Sequence, residues 1–202
     1  MSDGLHRSSV NGAYPGAVFN HDLGDGAQLR PLEHRHAQAL LEFIQANRAH
    51  LSVWLGWGES IKTLEDARAF IARGRQRFHD DALPWVGVWL DGTLVGGALF
   101  FPLDAMTRVT EIGFWLGANA EGRGLMSKTV RALLEYVFDE LNLNRVVLHA
   151  DVGNTRSQAL AERLGFQREG VERASWLLHG ELRDNVRYAM LKSDWDALKP
   201  RS

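Results

Sequence analysis

Six consecutive residues carry the clearest chemistry in this chain: Glu121-Gly122-Arg123-Gly124-Leu125-Met126. An apolar, strand-like run from Glu111 to Leu116 leads towards them, and a long amphipathic stretch follows without a break. A strand, a glycine turn and a helix start together make an anion site. The first N–H groups of a helix have no partner within it, and the dipole favours negative charge there. Glycines let the backbone approach a phosphate, because no Cβ stands in the way. The turn is therefore expected to hold the pyrophosphate of a nucleotide-bearing cofactor. Arg123 is either a charge-assisted contact to that group or a solvated surface arginine.

Three other readings of the turn compete. A P-loop needs Gly-x-x-x-x-Gly-Lys-Ser/Thr, and the chain has no such run. A dinucleotide fingerprint would place a third glycine where Ser127 stands, normally in the first βαβ unit. Asp151 is a partial match to its ribose-binding acid, but three antiparallel strands are expected before this turn. A purely structural turn is the remaining alternative.

Composition narrows the field. The 202 residues fit one domain with a substantial core. Hydrophobic residues make up 45% and charged residues 24%, ordinary values for a globular protein. A net charge of −2 gives no general affinity for nucleic acid or anionic membrane. With no cysteine there is no disulfide, thiolate metal site or cysteine nucleophile. The eight histidines show no His-x-x-x-His or other metal spacing, so no metal is expected. The N-terminus lacks the apolar h-region of a signal peptide and no run reaches transmembrane length, which makes the cytoplasm the default location.

The elements that position the turn follow in order. Residues 1–26, rich in Gly, Ser, Asn and Asp, read as a loose arm or an early edge strand, and 27–202 as one domain. A short strand is expected at 28–32 and a helix at 34–47. A tryptophan-bearing segment, 51–57, separates it from a second helix that Thr63 and Asp66 open as a capping pair. Two apolar runs joined by Asp91-Gly92 predict a hairpin, and 108–116 a third antiparallel strand. Residues 124–141 predict the central helix, with Met126, Val130, Leu133, Leu134, Val137 and Leu141 on its buried stripe. An apolar strand (145–150), a helix (154–164) ending at Gly165, and two final strands complete the chain. Asn154 reads as an N-cap and Ser157 as a first-turn polar residue.

In that order, four stretches resemble the GCN5-related N-acetyltransferases (GNAT), and more narrowly their RimJ/RimL branch. They are residues 51–57, 111–126, 154–166 with Glu169-Gly170, and 180–188, within a match covering about 27–195. The family turn has the form Gln/Arg-x-x-Gly-x-Gly/Ala; Glu121 and Met126 depart from it, while Gly124 is kept. The resemblance implies an α/β (α+β) fold: a mixed, mostly antiparallel twisted sheet of about seven strands with about four helices. It implies acetyl-CoA as cofactor, with its pyrophosphate on the N–H groups of Arg123, Gly124, Leu125 and Met126 and Gly122 also in the cofactor site. The pantetheine arm would run along Phe114, Trp115 and Leu116, with Asn154 and Ser157 also near the cofactor.

Many members place a tyrosine one turn before the Gly-Phe pair as the acid for the departing thiolate; here that position is Ala161. The RimL-like arrangement uses a serine and a glutamate instead, which map onto Ser157 as acid and Glu169 as base. Glu111 is the rival base, because its strand leads into the site. Trp54 and Trp57 are placed between groove wall and packing, whereas Trp85, Trp89 and Trp115 are expected in the core or on a sheet face. Asp184 either attracts the cationic amine or fixes Arg183. The implied activity is direct attack of a primary amine on acetyl-CoA, the acceptor being a protein N-terminus such as that of a ribosomal protein. Acetylation of a small amine is the alternative, and a non-catalytic acetyl-CoA sensor the alternative of another class. Branch members often form homodimers.

Overall fold

A computed structural model describes residues 19–199; most of the arm expected at 1–26 lies outside the described residues. Among the described residues eight strands form one sheet in the order β1-β2-β3-β4-β5-β6-β8-β7. β1 (His21–Gly24) is the edge strand that closes the arm, and it pairs with β2 (Ala27–Pro31). α1 (Ala37–Ser52) and α2 (Leu64–Asp81) follow, then β3 (Val86–Leu90) and β4 (Thr93–Phe100) as the hairpin. Its turn has φ of 48° at Asp91 and 79° at Gly92, the positive values that this dipeptide tolerates. β5 (Val109–Leu116) completes the antiparallel meander.

α3 (Leu125–Glu135) then crosses over to β6 (Arg145–Asp151), making β5 and β6 the parallel pair of the sheet. α4 (Thr155–Leu164) leads to the long hairpin of β7 (Gln167–Leu178) and β8 (Glu181–Leu191), and α5 (Lys192–Leu198) closes the described chain. The sheet thus has one strand more than the seven implied, the four-residue β1, which realises the early edge strand offered as one reading of 1–26. The helices number five among the described residues, because α5 carries a single buried anchor, Trp195.

The boundaries of α1 and α3 differ from the expectation, and the start of α2 agrees. α1 starts later, after a 3₁₀ turn at His34–His36, and runs to Ser52. α2 begins as expected: Thr63 Oγ1 accepts from Asp66 N at 3.1 Å, and Asp66 Oδ2 accepts from Thr63 N at 2.8 Å. The central helix is α-helical only to Glu135, beyond which Tyr136–Glu140 widens into a π-helical turn. There Tyr136 OH donates to Ala82 O (2.9 Å), tying the turn to the end of α2.

Two apolar clusters cover the sheet. One packs α3, α4 and Trp195 on one face, where Val130, Leu133 and Leu134 are fully buried. Each such side chain contributes about 1.5–3 kcal/mol on burial. The other packs α1 and α2 on the opposite face, around Leu40, Ile44, Phe70, Ile71 and Trp115. Gly97 is needed beneath Trp115: a Cβ there would stand 2.3 Å from the indole Cζ2.

Candidate active site

β5 and β6 pair over only three positions, ending at Glu111 with Val147. Beyond that point they separate, and a cleft of about 940 Å³ opens between them. Its floor is a free strand edge. Glu111 O accepts from Phe101 N (2.9 Å) and Gly117 N donates to Val95 O (2.8 Å), so the odd-numbered residues of β5 turn their main chain to β4. Alternation then turns the N–H and C=O groups of Phe114 and Leu116 towards the cleft. Trp115 pairs with Gly97 and buries its ring on the α1/α2 side, so its share of the wall is packing.

One end of the cleft is the glycine turn. Gly122, Gly124, Leu125 and Met126 line it, with Gly122 at φ 76° and Gly124 at 70°. Gly124 is the N-cap of α3, and no side chain caps that terminus. A Cβ built on either glycine meets nothing within 4 Å, so there is open space beside the turn that leads into α3. By contrast α4 is capped, Asn154 Oδ1 accepting from Ser157 N at 3.1 Å. An uncapped start of α3, with room before it, fits a pyrophosphate. Arg123 is exposed and does not line the cleft.

Glu121 enters the cleft too, but not as a bare carboxylate. It is hydrogen-bonded to Arg156 Nη1 at the start of α4, and its other oxygen lies 3.4 Å from His50 Nε2 on α1. The departure from the family's Gln/Arg is thus offset by a guanidinium within bonding distance. Asn154 and Ser157 both line the cleft beside it.

The opposite end is a row of alternating charges on one face of β5, β6, β8 and β7. Glu111 Oε2 lies 3.1 Å from His149 Nδ1. His149 Nε2 lies 3.3 Å from Glu172 Oε2, at ion-pair distance although not aligned as a hydrogen bond. Arg187 Nη1 donates to Glu172 Oε1 at 3.0 Å, and its Nε lies 3.4 Å from Glu169 Oε2. Arg145 closes the row with a bidentate grip on Glu169, Nη1 to Oε1 being 2.8 Å. The hydrogen bond to Glu111 raises the His149 pKa above its ordinary value, against desolvation and with help from Glu172. The Arg145 hydrogen bonds hold the Glu169 carboxyl below its ordinary value.

The expected site residues therefore separate. Glu111, Ser157, Asn154 and Trp54 meet in the cleft with Phe114, Leu116 and the glycine turn. Glu169 does not line it: as the extra residue of a β7 bulge it points to Arg145 and Arg187. Trp57 stacks on Phe70 (5.1 Å) and abuts Trp115 edge-on (5.0 Å), so of the two tryptophans Trp54 is the groove wall. Asp184 neither lines the cleft nor holds Arg183. Its Oδ1 accepts from Ala174 N (2.8 Å), while Arg183 reaches Asp151 at 3.3 Å.

Among the lining residues without a signal in the sequence are three on β6 and β7. His149 reads there as one apolar-strand residue among eight histidines. Glu172 and Trp176 flank a register shift in β7, which breaks the alternation that would have assigned their faces.

The chain is similar to known proteins. The chain matches the acetyltransferase (GNAT) domain over residues 27–167. YdaF of Bacillus subtilis (strain 168) is 34% identical over 183 residues, 90% of this chain and 100% of that protein. The ribosomal-protein-serine acetyltransferase of Escherichia coli (strain K12) is 25% identical, over 84% of this chain and 94% of its own. Among solved structures, the RimL ribosomal L7/L12 α-N-protein acetyltransferase in complex with coenzyme A shares the fold, with a TM-score of 0.81. It is 23% identical and covers 85% of this chain and 97% of its own. The chain belongs to the GNAT family of acyl-CoA-dependent N-acetyltransferases.

Proposed function

We propose that the chain moves the acetyl group of acetyl-CoA to the α-amino group of a protein N-terminus, a ribosomal protein being the nearest precedent among its relatives. One observation carries the reading: a single cleft joins an uncapped, glycine-led helix start, a free strand edge and a carboxylate, Glu111. The E. coli ribosomal-protein-serine acetyltransferase supports a protein acceptor.

The thioester supplies an already activated carbonyl, so the amine needs no covalent help from the protein. The chain must orient, polarise and move protons. The N–H groups of Gly124, Leu125 and Met126 hold the pyrophosphate, with Gly122 giving it room and Arg123 outside the grip. The main chain of Phe114 and Leu116 aligns the pantetheine arm, and such orientation contributes ~7–11 kcal/mol. An N–H of that edge placed on the developing oxyanion adds about 3 kcal/mol. Ser157, beside Asn154, protonates the departing sulfur. Glu111 takes the amine proton, and Trp54 walls the acceptor. An α-amine has a pKa of about 7.7–8.0, so on the order of a tenth is already neutral at pH 7 and a modest base suffices.

A small-amine acceptor is the second reading, favoured by a specific relative. The spermidine N(1)-acetyltransferase of E. coli is 23% identical over 83% of this chain and 87% of its own. Thiol release with Ser- and Ala-starting peptides, against spermidine and free amino acids, decides between them. The peptides should show at least tenfold higher kcat/KM; a tenfold preference for spermidine overturns the protein reading. Acetyl-CoA binding without turnover of any amine would leave a sensor.

A further inference from the structure

The row of charges at the acceptor end is one charge short. Along Glu111, His149, Glu172, Arg187, Glu169 and Arg145, three carboxylates face two guanidinium groups. One negative charge is left over, and a proton on His149 cancels it. The histidine sits between the two carboxylates that lack full compensation: Glu111, at the mouth of the splay, and Glu172, shared with Arg187. Its side chain is 21% exposed, so the balance is set largely by these neighbours and not by solvent. Asp151, the remaining acid of β6 in the cleft, is engaged by Arg183 and the Gly153 N–H.

We propose that His149 is the terminal proton acceptor of acetyl transfer, receiving through Glu111 the proton that the attacking amine gives up. The proposal rests on the acetyltransfer reading above. The step balances. The ammonium N–H bond breaks, its electron pair stays on nitrogen for the attack, and the proton bonds to a Glu111 oxygen. It then passes from Glu111 to His149 Nδ1, leaving Glu111 ionised again and His149 as imidazolium. The cleft has exchanged a cationic amine for a cationic ring, so its total charge is unchanged. Glu172 stabilises the ring from the Nε2 side and, with its half-exposed carboxylate, marks the way out to solvent.

The sign of the pH dependence follows. The working form has His149 neutral, so kcat rises with pH as the imidazolium is lost. Glu111, and then Glu172, hold that proton on, whereas Arg187 opposes it. The limb of kcat should therefore lie above the ordinary histidine value of ~6.5. Removing Glu172 moves it down.

Three proteins test this: wild type, His149→Gln and Glu172→Gln. In the free enzymes, imidazole resonances followed by NMR against pH should include one that titrates above ~6.5. That resonance should be absent in His149→Gln and shifted to lower pH in Glu172→Gln. With saturating acetyl-CoA and whichever amine the wild type turns over, His149→Gln should lose about tenfold to a hundredfold in kcat. It should keep the wild-type dissociation constant for acetyl-CoA by calorimetry, which excludes a folding defect. A limb belonging to the amine itself would persist in His149→Gln; the histidine limb disappears. A His149 resonance titrating at or below ~6.5, or a His149→Gln enzyme within twofold of wild-type kcat with an unchanged profile, overturns the proposal. The NMR arm needs no acceptor, so failure to find a substrate is a failure of the proposed function alone.

Discussion

Gly124 offers a test in which backbone strain and ligand recognition can be separated. It sits at φ 70° with nothing within 4 Å of the place a methyl group would take, and it leads the uncapped start of α3 into the cleft. Gly92, in the β3–β4 turn, has φ 79° and equally open space, but it does not line the cleft. Alanine at either position incurs the left-handed penalty of about 1–2 kcal/mol. In a chain of this size each kcal/mol lowers Tm by roughly 2–4 °C, so both variants should melt about 2–8 °C early. Only Gly124→Ala places a methyl group where the pyrophosphate must meet the backbone. Losing one charge-assisted hydrogen bond at about 1.5–3 kcal/mol weakens acetyl-CoA binding at least about tenfold. Calorimetric titration with acetyl-CoA, paired with thermal melts, reads both effects. Equal dissociation constants for Gly124→Ala and Gly92→Ala would refute the phosphate role of the turn.

Three further outcomes follow from the same geometry. Glu121→Gln frees Arg156 and removes a carboxylate from the anion end, so acetyl-CoA should bind severalfold tighter at low salt, with the gain shrinking as salt screens it; unchanged affinity at low salt would show that the pair lies out of reach of the cofactor. Trp54→Ala should raise KM for the acceptor with little change in Tm, whereas Trp57→Ala should lower stability by about 2–4 kcal/mol and leave KM alone; the reverse pattern would exchange their roles. Glu169→Gln should keep kcat within about threefold of wild type, where Glu111→Gln loses about a hundredfold. Because Arg145 depresses the Glu169 pKa, its stabilising contribution is present above the ordinary carboxylate range and lost as pH falls through the depressed value. The Tm gap between wild type and Glu169→Gln should accordingly close towards acid pH, and a gap that widens there would contradict the ion pair.

How much of this could be read from the residues depends on what each part is made of. The meander, the crossover helix and both capped helices follow from local rules: Asp91-Gly92 for the turn, Thr63 with Asp66 and Asn154 with Ser157 for the caps. Highly apolar strands such as β6 announce themselves even when short. Elements with a single buried anchor do not, since β1 has one buried residue, Leu23, and α5 depends on Trp195 meeting Asp139 across the fold. The widening of α3 begins at Tyr136, whose hydroxyl bonds Ala82 some fifty residues away, a contact the local sequence does not show.

The same division runs through the site. Its donor end is made of backbone: a helix start, a strand edge and two glycines. A site built from backbone leaves a contiguous sequence signature, so residues 114–126 could be proposed for it from the sequence, and Glu121 within them is balanced by Arg156. Its acceptor end is made of side chains from four strands, brought together by register alone. Glu169 and Glu172 stand three residues apart, and a bulge in β7 sends the first to Arg145 and Arg187 and the second to His149. A carboxylate in the expected motif position can therefore be tied up in ion pairs outside the cleft, while its neighbour lines it. Moving the Arg168–Gly170 bulge by one residue would re-aim Glu169 and leave Glu172 opposite Asn185, so it should cost the Arg145 contact and spare the lining of the cleft.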